Sequence, residues 1–535
     1  MRNSFAFYVL ILINYLNQFQ CVPTQTDDLF NLTVIHNNDF HTRYVPITDK
    51  TLAECEDGQY NSTQCVGGVA RTVALVKQLR ETEKNLLFLN AGDHFQGTFW
   101  YTILKSEVVA QFVNLMKHDV MAIGNHEFDD GGTELSSFID KVTYTDSNLN
   151  ILSANLNISK ESPLYGKVQK STIKHVDGIP IAIIGYTTPE TKFLSQPGDL
   201  VTFTDEIEAI NDEIANLKQS NPKLNIFIAV GHSGYDRDKE IAQAIPELDL
   251  IVGGHSHTFL YSGTDLPSVE KPEGEYPTVV KHQSSLTLIV QAFAYGKYLG
   301  KLNMQFDNDG NIVQYEGKPI YLDSTFDQDN NTAKLVSDID EKLGEDLKVT
   351  IGETKVDLIG PQECRQMECN LGNLIADSFA SEFEQLLSNK SIVTECNTIF
   401  ALINGGNIRT SINKGNITYK SIISTLPFNN QLGLLHANGD VLIKIFKHSA
   451  YQYRRGGFLQ LSNNMKVFYN KTDDQHLVFD KLQVNCNGWK EVDPSVTYTI
   501  VMNGFMAHGG DNYTMINATD WNDYMLNDSD VLIEH

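Results

Sequence analysis

The chain has 535 residues. At roughly 150 residues per domain this is enough for two to four domains with cores of their own, and it excludes a small binding module. Hydrophobic residues make up 41% and charged residues 20%, a globular composition and not a disordered one. The formal net charge of −26 at pH 7 argues against a nucleic-acid partner, because phosphate-backbone binding needs a basic surface that releases counterions. An anionic substrate must therefore be met by local cations or by metal.

Residues 1–22 read as a secretory signal peptide, with Met1-Arg2-Asn3, an apolar stretch from Phe5 to Leu16, and the small residues Cys21 and Val22. The apolar stretch is about a dozen residues, against the roughly 20 a spanning helix needs. Sequons at Asn31, Asn61, Asn157, Asn330, Asn389, Asn416, Asn470, Asn512, Asn517 and Asn527 fit a chain that passes through a glycosylating compartment. Setting Cys21 aside leaves an even number of cysteines, which in a secreted chain suggests disulfides. Cys55 and Cys65 flank a polar loop, Cys364 and Cys369 are close enough to close a small ring, and Cys396 and Cys486 pair by elimination. A zinc–thiolate cluster is the alternative, but no C-x-x-C pair is present. The segment Asn527 to His535 has no polar spacer followed by a hydrophobic tail, as a lipid-anchor signal requires. The expectation is a soluble, secreted, extracellular protein without a membrane anchor.

Between these ends, short apolar runs alternate with amphipathic stretches. Leu32–Ile35, Leu86–Leu89, Val120–Ile123, Ile181–Ile184, Ile226–Val230 and Leu250–Val252 read as buried strands, and Val69–Arg80 and Ile207–Lys218 as helices. Strands alternating with helices imply an α/β layered domain. After Asp323 a polar stretch, 324–331, leads into Ala333–Lys348, whose helical spacing and many charges suit a linker helix. Asn370–Leu387 and Asp440–Tyr453 read as helices of a second unit. Two domains are expected, at about 29–325 and 347–535, joined by a linker helix over 326–346.

Five clusters in the first domain place metal-ligand side chains directly after an apolar strand: Asp39-Phe40-His41, Gly92-Asp93, Gly124-Asn125-His126-Glu127, Gly231-His232 and Gly254-His255-Ser256-His257. A preceding glycine lets the backbone turn sharply as a strand ends. A histidine at one strand end is more often a solvated or core residue. Five such clusters in this order point instead to two divalent ions a few ångströms apart, bridged by one carboxylate, here Asp93.

The ordered set Asp39-x-His41, Gly92-Asp93, Gly124-Asn125-His126-Glu127, His232 and Gly254-His255-x-His257 resembles the calcineurin-like metallophosphoesterases. The longer strings His36-Asn37-Asn38-Asp39-Phe40-His41, Gly67-Gly68-Val69-Ala70-Arg71, Ala91-Gly92-Asp93-His94-Phe95-Gln96-Gly97-Thr98 and Gly124-Asn125-His126-Glu127-Phe128-Asp129 resemble the 5′-nucleotidase and insect salivary apyrase family. The resemblance covers nearly the whole chain after the signal peptide. It implies an α/β fold in which a four-layer α/β/β/α metallophosphoesterase domain is joined by a linker helix to an α/β nucleotide-binding domain. It also implies one metal site of Asp39, His41, Asp93 and His257 and a second of Asp93, Asn125, His232 and His255. His257 stands where the family usually has an amide, which leaves the metal open: zinc suits a His-rich set, and calcium, magnesium or manganese a bridged carboxylate site. His126 would stabilise the transition state, held by Asp129 in a His–carboxylate dyad; the alternative is that Asp129 caps the next helix. Arg43 is a candidate phosphate contact through its bidentate fork, or else a surface arginine.

In the second domain Cys364-Arg365, Asn404-Gly405-Gly406-Asn407-Ile408-Arg409, Leu426-Pro427-Phe428, Asn503-Gly504-Phe505 and Gly509-Gly510-Asp511 resemble the family's nucleotide-binding motifs. The resemblance implies that Phe428 and Phe505 clamp the base, Asp511 holds the ribose hydroxyls, and Arg365, Arg409 and Asn404 reach phosphate and base. Taken alone, the two phenylalanines read as core. Two departures stand out. Asn407 replaces the usual third glycine of its motif, and Asn512-Tyr513 follow Asp511 where the family has Gly-Phe, so that a glycan on Asn512 would crowd the nucleoside site. The chain also stops soon after this motif, where relatives continue.

Together these features lead to a secreted, metal-dependent nucleotide phosphohydrolase acting on small-molecule nucleotides. The soluble apyrase-like members cut ATP and ADP to AMP, and in the saliva of a blood-feeding arthropod they inhibit platelet aggregation. A soluble 5′-nucleotidase converting AMP to adenosine shares every motif named. A third reading is a catalytically weak binding protein on the same fold that captures a ligand or blocks a platelet receptor, although no Arg-Gly-Asp motif occurs and every expected metal ligand is intact.

Overall fold

A computed structural model describes residues 29–535, apart from 57, 147, 344, 388–395, 397 and 473–475. The signal-peptide reading, Cys21 and the sequon at Asn389 lie outside the described residues.

The apolar run at Leu32–Ile35 falls in strand Phe30–Asn37, which pairs in parallel with Leu86–Asn90. Val120–Ala122 and Asn150–Leu152 continue the parallel row. On its other edge, Tyr298–Phe306 runs antiparallel to Phe30–Asn37 and forms a hairpin with Ile312–Tyr321. A second six-stranded sheet has four parallel inner strands, Ile179–Thr187, Phe227–His232, Leu250–Val252 and Leu286–Val290, edged by antiparallel Ser171–Val176 and Thr278–Lys281.

The two-residue period of the strands sorts the core into layers. Leu32, Val34, Leu87 and Leu89 face the second sheet, in one buried cluster with Ile181, Ile183 and Val230. Ile35 and Phe88 point the other way, onto helices Val69–Thr82, Phe99–Met116 and Gly131–Thr145. Helices Glu206–Ser220 and Tyr235–Ala244 pack on the second sheet through Ile210, Ile214, Ile241 and Ala242. The result is four layers, helix, sheet, sheet and helix. The sheets approach closely at Gly185, where a Cβ would stand 2.4 Å from the main-chain carbon of Leu152.

The expected linker helix is shorter and better packed than its charges suggested. It spans Asn330–Lys342, starts with the Asp329 carboxylate accepting from Thr332 N, and gives way to a short turn at Glu345–Lys348. Val336 and Ile339 join the same buried cluster as Val69, Val73 and Val76, so the helix is docked against helix Val69–Thr82 and its polar face meets water.

The C-terminal unit holds a five-stranded sheet ordered Leu459–Leu461, Ile399–Asn404, Thr497–Asn503, Gln431–Asn438, Trp521–Asn527, with only the Ile399–Asn404 and Thr497–Asn503 pair parallel. Alternate residues again divide two faces. Ile399, Ala401 and Ile403 meet helix Asn370–Leu387, while Phe400 and Leu402 meet helix Gly439–Tyr451. Three disulfides, Cys55–Cys65, Cys364–Cys369 and Cys396–Cys486, form as expected. Among the described residues no helix is long and apolar enough to cross a membrane.

Because the neighbour of Gly185 is backbone that cannot move aside, Gly185→Val should destabilise the protein by about 1–3 kcal/mol, read as a lower midpoint in thermal or denaturant unfolding. An unchanged midpoint would contradict the close approach of the two sheets.

Candidate metal centre and cleft

Parallel strands deliver their following loops to one edge of a sheet, where α/β folds place their sites. Asp39, Asp93 and Asn125 leave the first sheet at such ends, His255 and His257 leave the second, and His232 is itself the last residue of strand Phe227–His232. Asp39, His41, Asp93, His255 and His257 all have positive φ, between 48° and 76°, a conformation costly for non-glycine residues and concentrated at functional sites. It is over-determined here by cross-loop backbone bonds, Asp39 N to Gly92 O and His41 N to Asp93 O, both 3.0 Å. The glycines serve loop contact as much as turning. Gly92 has φ 86°, and its Cβ would meet Gly124 N at 2.6 Å; a Cβ on Gly124 would stand 2.2 Å from Asp93 Oδ1.

The side chains converge. His257 Nε2 lies 3.1 Å from Asp39 Oδ1 and 3.2 Å from His41 Nε2, and His41 Nε2 is 3.7 Å from Asp93 Oδ2. On the other side of Asp93, His232 Nε2 is 2.9 Å from Oδ2, and His255 Nδ1 is 3.0 Å from Asn125 Oδ1. The groups Asp39/His41/His257 and Asp93/His232/His255 each bring three ligand atoms within 4.8 Å of one another. Burial raises the Asp93 carboxyl, but the imidazoles of His232 and His126 outweigh it and hold the group well below the usual carboxylate range. His232 Nε2 is buried against Asp93 Oδ2, and imidazole nitrogens face one another and two carboxylates. This donor set fits two divalent cations. Backbone carbonyls orient the rings from behind, Ala91 O at 2.7 Å from His232 Nδ1 and Phe95 O at 3.1 Å from His41 Nδ1.

Glu127 stands inside the quoted motif, yet sequence reasoning gave it no role. Its buried carboxylate accepts from Asp93 N (2.9 Å), His94 N (2.8 Å), Phe95 N (3.1 Å) and Gly124 N (2.7 Å), and so ties the Asp93 loop to the Asn125 loop. Only its position after Asn125-His126 hinted at this. His126 lies at the surface of the site with Nδ1 2.7 Å from Asp129 Oδ2, while Asp129 Oδ1 accepts from Ser195 Oγ at 2.6 Å. Asp129 is therefore in the dyad, and Asp130 is the residue preceding helix Gly131–Thr145. Burial lowers the His126 pKa, but Asp129 and Asp93 outweigh it, and the net direction is upward.

The second unit closes a cleft of about 1080 Å³ over this centre, lined by Asp93, Asn125, His126, His255 and His257 on one side and Arg365, Asn404, Arg409, Phe428, Phe505 and Asp511 on the other. Arg409 Nη2 reaches His41 Nε2 at 3.1 Å, and its guanidinium lies 5.7 Å from the Phe428 ring. The Phe428 ring also stands 5.9 Å from that of His126. Both phenylalanines are half-buried in the cleft wall, not in the core. Asn404 Nδ2 donates to Asp511 Oδ2 at 2.7 Å, and burial pushes the Asp511 carboxyl up to about 6. Arg365 is 8% exposed, and among the described residues its Nε has no hydrogen-bond partner; it is a cation presented to the cleft.

Two expectations need correction. Arg43 is neither a phosphate contact nor a surface residue: it is wholly buried, does not line the cleft, and donates to the carbonyls of Gly97 (3.0 Å) and Arg409. Asn512 is exposed and lies outside the cleft lining, while Tyr513 beside it turns inward to Gly457 O, so a glycan there would start outside the cleft. Asn31, Asn61, Asn157, Asn330, Asn416, Asn470 and Asn517 are likewise exposed, and Asn527 is half-buried. Asn407, in place of a glycine, is stitched between Asp528 Oδ2 (2.9 Å) and Asn430 Nδ2 (2.8 Å).

A four-layer domain with clustered His/Asp donors at its strand ends, facing a cationic and aromatic wall, defines a metallophosphoesterase with a separate substrate-binding domain. Residues 32–259 match the calcineurin-like phosphoesterase family, and residues 350–518 match the 5′-nucleotidase C-terminal domain. The chain belongs to the 5′-nucleotidase family. It is 38% identical over 503 residues to the 5′-nucleotidase of Bos taurus (91% of this chain, 84% of the relative) and 35% identical over 530 residues to the apyrase of Tabanus yao (96% and 92%). The crystal structure of a 5′-nucleotidase precursor from Thermus thermophilus superposes with a TM-score of 0.84 at 31% identity, covering 94% of this chain and 96% of that one. The protein is a nucleotide phosphohydrolase.

Glu127→Gln replaces one amide-accepting oxygen by a donor and should weaken divalent-metal binding by about 10–100-fold, measured by zinc titration and metal content after dialysis. Unchanged affinity would show that the four-amide clasp does not hold the ligand loops.

Proposed function

We propose that this chain removes the terminal phosphate from extracellular ATP and ADP, stopping at AMP, as an apyrase does. The observation that carries the reading is a cleft between two walls, with metal donors on one and Arg365, Arg409 and two phenylalanines on the other. In this reading Asp39, His41, Asp93 and His257 hold one ion and Asp93, Asn125, His232 and His255 the other. Zinc is favoured by the four imidazoles, with calcium, magnesium or manganese as alternatives. Two such ions would supply Lewis-acid binding of phosphoryl oxygens and activation of a water for attack.

The chain's own residues do the rest. Arg409, beside His41, and Arg365 grip the phosphate oxygens and offset the repulsion of a strongly acidic protein. His126, kept in one orientation by Asp129, donates a hydrogen bond to the phosphoryl group and a proton toward the departing oxygen. Phe428 and Phe505 stack on the base, which tolerates several bases, and Asp511 accepts from the ribose hydroxyls while Asn404 fixes its carboxylate. The limits 29–325 and 347–535 are the two working domains, and movement about the segment joining them delivers the nucleotide to the metals. The sequons and the leading apolar stretch support secretion, where removal of ADP suppresses platelet aggregation.

A second reading, cleavage of AMP to adenosine, is favoured by the relatives that carry the 5′-nucleotidase name. Phosphate release from ATP, ADP and AMP, with chelator and then metal add-back, separates the two. Release from ATP and ADP that ends at AMP is expected; rapid release from AMP establishes the second reading, and silence on all three favours a binding protein. His126→Ala should lower kcat by about 10²–10⁴-fold with metal content retained, and an unchanged kcat would remove His126 from the chemistry.

A further inference from the structure

We propose that Arg43 is a positioning residue that docks the main chain of Arg409 onto the loop carrying His41, and so sets where the Arg409 guanidinium stands in the cleft. The proposal rests on the nucleotide-hydrolase reading above.

Arg43 is wholly buried. Its Nη1 donates to Gly97 O at 3.0 Å and its Nη2 to Arg409 O, and its guanidinium lies 5.1 Å from the centre of the Tyr295 ring. Each contact leads back to the site. Gly97 packs so tightly on His41 that a Cβ would come within 2.9 Å of both the Cβ and the carbonyl of that residue. Tyr295 donates its N–H to Asp39 O at 2.8 Å, and its ring stands 5.9 Å from that of His41 and 5.3 Å from that of His257. Arg409, held by its carbonyl, returns its side chain to His41 at 3.1 Å. One guanidinium thus joins the His41 loop, the Gly92–Thr98 loop and the arginine loop of the second domain.

The residue type argues for a specific role. A buried cation is expensive, and a gap of this size is filled more stably by apolar side chains. Among the described residues, no carboxylate takes a hydrogen bond from Arg43. The groups acting on it through charge are the Tyr295 hydroxyl and, after it, the Glu54 carboxylate, which is itself paired with Lys420 at 3.4 Å. What an arginine offers here is a rigid fork that spans two carbonyls and keeps its proton. Because one of those carbonyls belongs to the second domain, the fork engages fully only when the arginine loop is seated on the metal-ligand loops.

The test is a double-mutant cycle in the full chain, with kcat/KM measured on whichever of ATP, ADP or AMP the unmodified protein hydrolyses. Arg43→Ala and Arg409→Ala should each lower kcat/KM by about 10–100-fold, and the double variant should be no worse than Arg409→Ala alone, within about threefold. Metal content should be unchanged in Arg43→Ala, which a loss of the ligand loops would alter. Losses that multiply in the double variant overturn the proposal, since they mean that Arg43 contacts substrate itself or supports the fold at large. If Arg43→Ala fails to fold, Arg43→Lys keeps the charge and loses the fork. Its smaller loss should likewise vanish in the Arg409→Ala background, and persistence there overturns the proposal. An unmodified protein silent on all three nucleotides with metal restored takes down the function reading itself, and this inference with it.

Discussion

Two carboxylates, Asp39 and Asp93, are buried among four imidazoles, and the rest of the structure depends on that concentration of charge. Each buried carboxylate carries a desolvation cost of several kcal/mol unless cations or hydrogen bonds meet it. The protein assembles this charge from loops that leave two sheets, so the sheets must stack in register and the loops must touch backbone to backbone. The positive φ angles, the glycines at 92 and 124 and the amides gathered on Glu127 are consequences of bringing those loops into contact.

The second domain solves the complementary problem. An acidic chain has to admit an anionic substrate against the repulsion of its own net charge. Its cations are concentrated at Arg365 and Arg409, at the point where the cleft meets the metal-ligand loops. Phe428 and Phe505 form the aromatic part of the cleft wall beside them. Two polar networks, Asn404 with Asp511 and Asn407 with Asn430 and Asp528, lie in and beside this wall, and polar networks of this kind rigidify what they support when every group is satisfied.

Much of this was legible in the sequence for a physical reason. Ligands at strand ends are a local pattern, because a short apolar run, a glycine and a chelating side chain are neighbours in the chain. The layered α/β architecture followed from the same alternation. What escaped was whatever depends on residues distant in sequence. Arg43 looks like a solvated or phosphate-binding arginine until a carbonyl 366 residues away is placed beside it. Glu127 carries no sign that four amides converge on it. The helix Asn330–Lys342 reads as a spacer because its charges are obvious and the burial of Val336 and Ile339 against another helix is not. Asn512 reads as facing the cleft because its neighbour Asp511 lines it.

If the strand-end loops hold two divalent ions with Asp93 between them, crystals equilibrated with zinc should show it by anomalous scattering. Two peaks about 3.5–4 Å apart are expected, one beside Asp39, His41 and His257 and the other beside Asn125, His232 and His255, with Asp93 between them. A single peak, or ions bound only elsewhere on the surface, would contradict it.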